Sequence, residues 1–520
     1  MIKMFLNDLN FSQKDKYYLI ILLIFSIILT TYYIKFNIQL GIYCSDVFIY
    51  LLNSLYYTGI NIKSTGTIYL SPIICFLTSI LFRISLIDKL SIFIVTGVLA
   101  IFGNIGFYFL LKTQFNENYS LAGSIIYSCL GINLTFLANG TLDVPAVSMT
   151  IWIVLFTIMA IKNNPKYYYI LFPLFSIGFF TRYTVILISP VLILYYLIEH
   201  ENNNYKYILK GLILGLITSA IILIPIQIMS LGQIGVFGQI FGGITGNLGS
   251  VNDLAYNTNT FYYVQNFLNL ISSSNITFIN RTPSLNNPTI LSYIIILILS
   301  IGLIIYLKNK KYNIKENIIP IIIFLIAILT YTQISSVITI VLVVIGLFLI
   351  GKNSTNKKGI LMLSWMLVHF IFFSYYTIKV NRYIIPVMPP LIYMMLASIN
   401  LIEKKNNIAK QLIPILIILF IMQGFLFTTT FNNSNFNGPE HMSDYIIGNI
   451  PDYKNEKIGV YNTRFYDWYL HTPVYAIPST NSNIIDNSNM SYYISDVQLN
   501  DLQNFSEIKK IDEIYLYKRS

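Results

Sequence analysis

YYLIILLIFSIILTTYYI, residues 17–34, is an apolar run without a single charged side chain. About 20 such residues in an α-helix cross the ~30 Å hydrocarbon core of a bilayer. The run is too long for the apolar region of a secretory signal peptide, and it lacks a small-residue cleavage site. We therefore expect residues 17–34 to form an uncleaved first transmembrane helix.

The composition extends this pattern to most of the chain. Of the 520 residues, 55% are hydrophobic and only 11% are charged, and the mean hydropathy is +0.65. Soluble domains carry about 25% charged residues, so the sequence predicts an all-α polytopic membrane protein with the lipid bilayer as a partner. The net charge of +11 comes largely from short basic loops, which record orientation rather than binding of nucleic acid. Three scattered cysteines, Cys44, Cys75 and Cys129, fit neither a disulfide framework nor a metal site.

The basic loops also decide how many segments cross. Fourteen apolar segments are candidate spans: 17–34, 67–87, 91–111, 118–138, 144–161, 167–181, 184–199, 207–231, 289–307, 318–333, 335–350, 360–378, 383–402 and 411–428. Thirteen crossings place the basic loops 308–317, 351–359 and 403–410 on the same side as the basic N-terminus, which the positive-inside rule makes cytoplasmic. Segment 67–87 is the best candidate for the one that does not cross. We expect it to lie along the external surface or to re-enter.

This topology places a long loop and the C-terminal segment outside the cell membrane. The loop 232–288 is rich in Gly and Asn, and structureless loops of such length are usually functional or disordered. The C-terminal segment has a helix signal at 441–450 and strand-like runs at 457–462 and 513–518. We predict a membrane domain over 1–430 and a small extracytoplasmic α/β domain over 431–520.

The stretch GIYCSDVFIYLLN, residues 41–53, places an acid at the membrane edge. On a helix, Asp46 lies on the same side as Tyr50, Asn53 and Tyr57, while apolar residues cover the rest. This pattern predicts an interfacial helix with one polar stripe that begins at the acid. The simpler alternative is that Ser45 or Asp46 is only the N-cap of this helix.

A second acid, Asp143, lies in NGTLDVPAV, and Pro145 suits the first turn of a helix. Considered alone, Asp143 is a helix cap. The predicted topology nevertheless puts Asp46 and Asp143 at the same membrane surface, where acids are costly and usually functional.

Several cations are expected on this same face: Arg182 in GFFTRYTV, Arg382 in KVNRYIIPVMPP, and also Lys63, Arg83 and Lys379. A guanidinium offers a two-pronged fork that matches phosphate. Acid and arginine together on one face suit a lipid-phosphate substrate. The alternative is that each cation is an interfacial anchor beside a tyrosine.

The histidines give no sign of a metal site. His369 lies within a predicted span and is expected to be a packed core residue, and His441 and His471 have no metal-like spacing around them. No metal ligand is predicted and no cofactor is certain, although a divalent cation stays open. There is no glycine-rich phosphate loop between a strand and a helix, so we do not expect direct use of a soluble nucleotide.

Four motifs, in order over residues 17–430, resemble the GT-C glycosyltransferases. The similarity is greatest to glycosyltransferase family 39, which includes protein O-mannosyltransferases and the aminoarabinose transferases of lipid A. The motifs are SDVFIYLLNSLYYTG (45–59), LDVPAVSMTIWIVLF (142–156), GFFTRYT (178–184) and RYIIPVMP (382–389). Two positions depart from the family: Val47 follows Asp46 where a Glu is common, and IYLSP (68–72) lacks a basic residue before the proline.

The resemblance implies the GT-C fold and a sugar transferred from a polyprenyl (dolichyl-type) phosphate to a protein, lipid or glycan acceptor on the external side, with inversion. It implies that Asp46 activates the acceptor, with Asp143 as a second catalytic acid. The leaving phosphate is then held by Arg182 and Arg382, with Lys63 and Arg83 as further candidates. Tyr50 and Tyr183 are the remaining expected substrate-binding residues. A transporter or flippase of lipid-linked sugars, or a catalytically silent relative, remains the alternative.

Overall fold

The computed structural model describes residues 2–60, 62, 70–199, 204–229, 256–279, 281–309, 318–432, 434–477 and 481–520. Within them the chain is mostly helical and folds as two compact units. The first unit comprises 1–33, 96–138 and 142–432, and the second comprises 34–95, 139–141 and 433–520. The second unit therefore includes residues 34–95, which the sequence assigned to the membrane domain. The functional division at residue 430 stays a prediction.

The α-helices in chain order are Ile2–Asp8, Gln13–Leu40, Asp46–Tyr57, Pro72–Arg83, Lys89–Lys112, Glu117–Ser128, Gly131–Thr135, Asp143–Lys162, Tyr168–Thr181, Ser189–Glu199, Tyr205–Met229, Tyr262–Gln265, Phe267–Ile271, Ile290–Asn309, Ile318–Leu329, Ser336–Lys352, Lys357–Tyr375, Met388–Glu403, Leu412–Leu426, Gly438–Asn449, Thr463–Leu470 and Ser482–Asp486. The 3-10 helices are Pro165–Tyr167, Tyr183–Ile188, Asn381–Val387, Asn407–Gln411, Phe427–Phe431 and Tyr453–Asn455. Among the described residues, 8 helices are long and apolar enough to cross a membrane. The predicted class, a polytopic all-α membrane protein, is confirmed.

Individual segments differ from the sequence-based boundaries. The predicted span 118–138 is divided into the helices Glu117–Ser128 and Gly131–Thr135. In segment 67–87, the described residues form one helix, Pro72–Arg83, whose 12 residues rise only about 18 Å. That length is less than the hydrocarbon thickness, in keeping with the expectation that this segment does not cross.

The helix Asp143–Lys162 forms the centre of the first unit: 94% of its most apolar stretch is buried. Another pair of helices, Tyr168–Thr181 and Tyr205–Met229, meets through Gly211 and Gly215. A Cβ on Gly211 would lie 2.5 Å from the carbonyl oxygen of Tyr168, so only glycine allows this approach. Small residues four apart are a common means of helix packing in membranes, where lipid supplies no hydrophobic drive for association.

The predicted loop 232–288 is ordered over its second half. Residues 232–255 lie outside the described residues, but two short helices and a hairpin follow. The hairpin pairs strand β1 (Ser273–Ile279) with strand β2 (Thr282–Pro288) in antiparallel register, with Asn275 opposite Asn286. Residues 256–279 and 281–288 therefore have more regular structure than their composition indicated, because these strands satisfy each other's backbone hydrogen bonds.

The C-terminal part of the second unit is the small α/β fold predicted from its pattern. Its five strands are β3 (Ile458–Val460), β4 (Tyr475–Ala476), β5 (Tyr492–Ser495), β6 (Phe505–Ile511) and β7 (Ile514–Arg519). They form one mixed sheet in the order β4-β3-β5-β7-β6, in which β3 is parallel to both neighbours. Alternate side chains of β5 and β7, including Tyr493 and Tyr517, enter a small apolar core.

Residues 34–95 join this C-terminal fold within the second unit. Phe48 packs with ring centroids 4.7 Å from Phe465, and Phe82 stacks on Trp468 at 5.8 Å. The buried amine of Lys89 forms an ion pair with Glu440 and donates a 3.0 Å hydrogen bond to Asn437. Aromatic packing and a buried ion pair thus bind two distant parts of the sequence.

Candidate functional site

The first unit holds a carboxylate between two arginines. The carboxylate of Asp143 is 97% buried, with one oxygen paired to the guanidinium of Arg182 and the other 3.8 Å from Nε of Arg382. Arginine matches carboxylate and phosphate geometry through its planar fork. The three side chains come from widely separated positions and together carry two positive charges and one negative charge.

Asp143 is the first residue of its helix, directly after the N-cap residue Leu142. The positive end of the helix macrodipole favours a carboxylate at this point. The N-cap residue Leu142 has no side-chain group that caps the helix. The simple interpretation of Asp143 as a helix cap is therefore incomplete, since its oxygens face the two guanidinium groups.

Arg182 lies where the helix Tyr168–Thr181 ends. Its backbone is extended, with φ −158° and ψ 128°, and its amide still donates to the carbonyl of Gly178 at 3.0 Å. The chain then turns into the 3-10 helix Tyr183–Ile188. This break in the helical path points the Arg182 side chain away from the helix ladder and toward Asp143.

Arg382 lies in the 3-10 helix Asn381–Val387, just before the helix Met388–Glu403. Prolines in this region remove amide donors, so a regular α-helix does not extend back to residue 381. The guanidinium is 18% exposed, close to the 17% of Arg182. Both cations are therefore desolvated enough to interact strongly with an anion while still reachable.

Tyr383 is a residue that the sequence analysis did not single out. Its ring centroid lies 5.2 Å from the guanidinium carbon of Arg182 and 5.9 Å from that of Arg382. The other contacts of the ring are to Phe373 and Tyr376, at 5.2 and 5.6 Å. One aromatic ring thus holds both arginines by cation–π contact. The sequence shows a tyrosine directly after each of the two arginines, Tyr183 and Tyr383. It does not show which of these tyrosines contacts both guanidinium groups.

Lys379, three residues before Arg382, is buried rather than facing the surface. Its amine donates to the backbone carbonyls of Phe373, Ser374 and Tyr376, the first two at 3.2 and 2.7 Å. Burial lowers the pKa of Lys379 from 10.5 to about 8. Three acceptors require three N–H donors, which only the ammonium form supplies. Lys379 thus fixes the loop that precedes Arg382.

Asp46 and Tyr50 lie in the second unit. Asp46 is half-buried and begins the helix Asp46–Tyr57, whose N-cap residue Ser45 makes no side-chain capping bond. The predicted helix is confirmed, and the structure adds that part of its polar stripe is buried. Tyr50 and Asn53 are buried, because the helix packs against other parts of the second unit on several sides.

The remaining predicted substrate-binding residues are spread over different places. Arg83 is exposed and donates to the carbonyl of Tyr57 at 3.0 Å, where it caps the end of the helix Asp46–Tyr57. Tyr183 is half-buried beside Phe179, with ring centroids 5.1 Å apart. Lys63 lies outside the described residues.

His369 is a packed core residue, as predicted. It is 1% exposed, and Nδ1 lies 3.0 Å from the carbonyl of Trp365, one helical turn earlier. His441 pairs with Asp512 at 2.5 Å, and His471 lies edge-on to Trp468. In the part of the chain that the structure describes, no cluster of three or more His, Cys, Asp or Glu side chains is arranged to hold a metal ion.

The fold is the GT-C fold of membrane glycosyltransferases. Residues 69–228 match the family model of the dolichyl-phosphate-mannose-protein mannosyltransferases. Among curated proteins, none matches the sequence significantly. The family model thus confirms the resemblance found in the sequence over residues 69–228, and the solved structures below share the fold over most of the chain.

Two solved structures show how far the fold extends. The chain is similar to ArnT from Cupriavidus metallidurans bound to undecaprenyl phosphate, with a TM-score of 0.62 at 10% identity over 96% of this chain and 97% of that one. It is also similar to the oligosaccharyltransferase AglB from Archaeoglobus fulgidus in complex with an inhibitory peptide and a dolichol-phosphate. That match has a TM-score of 0.52 at 10% identity and covers 93% of this chain and 70% of that one.

Proposed function

We propose that this protein is a membrane glycosyltransferase that moves a sugar from a polyprenyl phosphate donor to an acceptor on the external face of the membrane. The observation that carries the proposal is the pair of arginines around the buried carboxylate of Asp143. The fold supports it, since both similar structures were solved with a polyprenyl-type phosphate, undecaprenyl phosphate in ArnT and dolichol-phosphate in AglB.

In the proposed reaction, an acceptor oxygen attacks the anomeric carbon while the bond from that carbon to the phosphate oxygen breaks. The electron pair of the broken bond leaves with the lipid phosphate, so the configuration inverts and negative charge grows on the phosphate. Guanidinium groups placed beforehand stabilise such growing charge without reorganisation. Arg182 and Arg382 are the proposed phosphate-binding residues.

Asp46 is the proposed general base, which takes the proton from the acceptor. It is half-buried at the start of its helix, so its carboxylate is partly accessible. Asp143 receives a different role from the one expected. Because its oxygens face two guanidinium groups, we assign it to positioning the arginines rather than to proton transfer.

The test is transfer from a panel of radiolabelled polyprenyl-phosphate sugars by the purified full-length protein, comparing wild type with Asp46→Asn. General-base catalysis contributes about 10²–10⁴ in rate. We expect Asp46→Asn to lose transfer by a factor in that range while keeping its thermal unfolding temperature. Near-normal turnover by Asp46→Asn would refute the assignment of the base. Absence of transfer from every lipid donor by the wild type would refute the proposed function.

A further inference from the structure

A second basic cluster lies at the far end of the helix that begins with Asp143. That helix has 20 residues and spans about 30 Å, so its last residue, Lys162, lies about that far from Asp143. Around Lys162 the ends of two further apolar helices meet, Ser189–Glu199 and Lys357–Tyr375. The cluster is thus separate from the candidate site described above.

Lys162, Lys357, Lys358 and Glu199 line a cavity of about 260 Å³ at these helix ends, together with Thr355 and Asn356. This volume is between eight and nine times the ~30 Å³ that one water occupies in the liquid. It therefore has room for a tetrahedral phosphate with its hydrogen-bond partners.

The charges that line the cavity favour an anion. The carboxylate of Glu199 is buried and bridges two of the lysines, forming an ion pair with Lys162 and lying 3.4 Å from the amine of Lys357. Lys358 donates to the carbonyl of Thr113. Among the described lining residues, three ammonium groups and one carboxylate give a formal charge of 3 − 1 = +2.

The backbone adds to this charge. Lys357 and Lys358 are in the first turn of a 19-residue helix, whose N-cap residue Asn356 accepts from the amide of Gly359. The positive end of that helix macrodipole therefore faces the same region as the ammonium groups. Lysine amines and helix N-termini are both common phosphate-binding groups.

We propose that this cavity is a phosphate-binding site, occupied either by the headgroup of an anionic bilayer lipid or by free phosphate. Its position at the ends of membrane-spanning helices puts it at headgroup level, where basic pockets between helices recognise such lipids. The site lies at the membrane face opposite to Asp143 and is independent of the proposed transferase reaction.

The test uses the purified full-length protein in a neutral detergent. Binding of short-chain phosphatidylglycerol is measured by native mass spectrometry and by thermal unfolding, against phosphatidylcholine of equal chain length. The key pair of variants is Thr355→Glu and Thr355→Gln, because Thr355 is an exposed, uncharged residue that lines the cavity. The two variants have nearly the same size and differ in charge, and neither removes a side chain that pairs with Glu199.

We expect Thr355→Glu to weaken phosphatidylglycerol binding about fivefold or more, and Thr355→Gln to leave it unchanged, since one charge near an anionic lipid is worth about 1 kcal/mol. Lys358→Gln should weaken binding by a similar factor. Lys405→Gln, which changes an exposed lysine outside the cavity, should not.

A parallel titration with inorganic phosphate distinguishes the two sources. Competition by millimolar phosphate, with the same ranking of variants, would support the site and assign it to free phosphate. Binding that resists phosphate but follows the variants would assign it to a lipid. Equal binding of both lipids together with no phosphate binding that follows the variants, or equal effects of Thr355→Glu and Thr355→Gln on every ligand, would overturn the proposal.

Discussion

The guanidinium of Arg182 forms an ion pair with the carboxylate of Asp143, and the two residues lie at the ends of helices that pack against each other. Arg382 approaches the same carboxylate from a third element. Three motifs that are far apart in the sequence therefore meet at one point of the first unit.

Asp143→Asn should lower transfer at least tenfold while the protein stays folded. Asparagine keeps the size of the side chain and one acceptor oxygen, but loses the charge that orients Arg182 and Arg382. Asp143→Ala removes the carboxylate entirely and leaves the two guanidinium groups without their counter-charge. We expect this variant to lower the free energy of unfolding by about 3–5 kcal/mol. Transfer rate and unfolding temperature separate the two effects.

Asp88→Asn is the matched control, because Asp88 is an exposed acid that also precedes a helix and accepts from the amide of Leu90 at 2.7 Å. It should leave transfer unchanged. A wild-type rate in Asp143→Asn would contradict the positioning role.

Tyr383→Leu should weaken transfer about 5- to 1,000-fold, and Tyr383→Phe should stay close to wild type. The ring contacts both guanidinium groups, and cation–π contacts contribute about 0.5–2 kcal/mol each. Phenylalanine keeps the ring, whereas leucine keeps only apolar volume. The comparison is made on kcat/KM for the lipid donor. Equal loss in both variants would show that the hydroxyl, not the ring face, is what matters.

The lowered pKa of Lys379 predicts how the free energy of unfolding changes at alkaline pH. Its pKa is lowered by burial to about 8 from 10.5. Between these values the unfolded chain binds more protons than the folded one, so the stability contributed by this group rises with pH from 8 to 10.5 and is lost as pH falls through 8. The full shift corresponds to about 3 kcal/mol as an upper bound, because the three carbonyl acceptors oppose it.

The measurement is the difference in unfolding temperature between wild type and Lys379→Met, taken from pH 7 to pH 10.5. We expect this difference to move in favour of the wild type as the pH rises. A difference that is flat, or that moves in favour of Lys379→Met, would rule out a lowered pKa at this position.

Phe48→Ala should destabilise the second unit by about 3–5 kcal/mol, whereas Phe48→Leu should cost less. The ring of Phe48 is fully buried and packs against Phe465 and Tyr469, at 4.7 and 5.7 Å. Limited proteolysis of the C-terminal segment reports on this unit directly. Unchanged protection in Phe48→Ala would mean that these aromatic contacts add little to its stability.

Much of the fold was predictable because it depends on local pattern. Long apolar runs predicted the membrane class, and the alternation in residues 457–462 and 513–518 predicted strands that the structure contains as β3 and β7. The N-terminal part of the long loop 232–288 lies outside the described residues. Its C-terminal part formed a hairpin that composition alone did not indicate, because strand pairing depends on the partner strand.

The site was predicted in part. The motifs containing Asp143, Arg182 and Arg382 named as candidates three side chains that the structure brings together, since charges at the ends of apolar segments stand out against their surroundings. The helix after Asp46 was predicted as well. The burial of this helix was not predicted, because a helix with one polar side has the pattern of a surface helix. Only its packing neighbours show that it is buried.

The sequence by itself therefore determined the class of protein, the positions of most helices and the charged residues worth considering. Only the tertiary structure decided that Asp143 faces two arginines, that Tyr383 lies against both of them, and that Lys379 is turned inward. The physical reason is the distance along the chain over which each kind of interaction acts. Hydropathy and helix periodicity are properties of neighbouring residues, whereas ion pairs and ring contacts join residues brought together only when the helices pack.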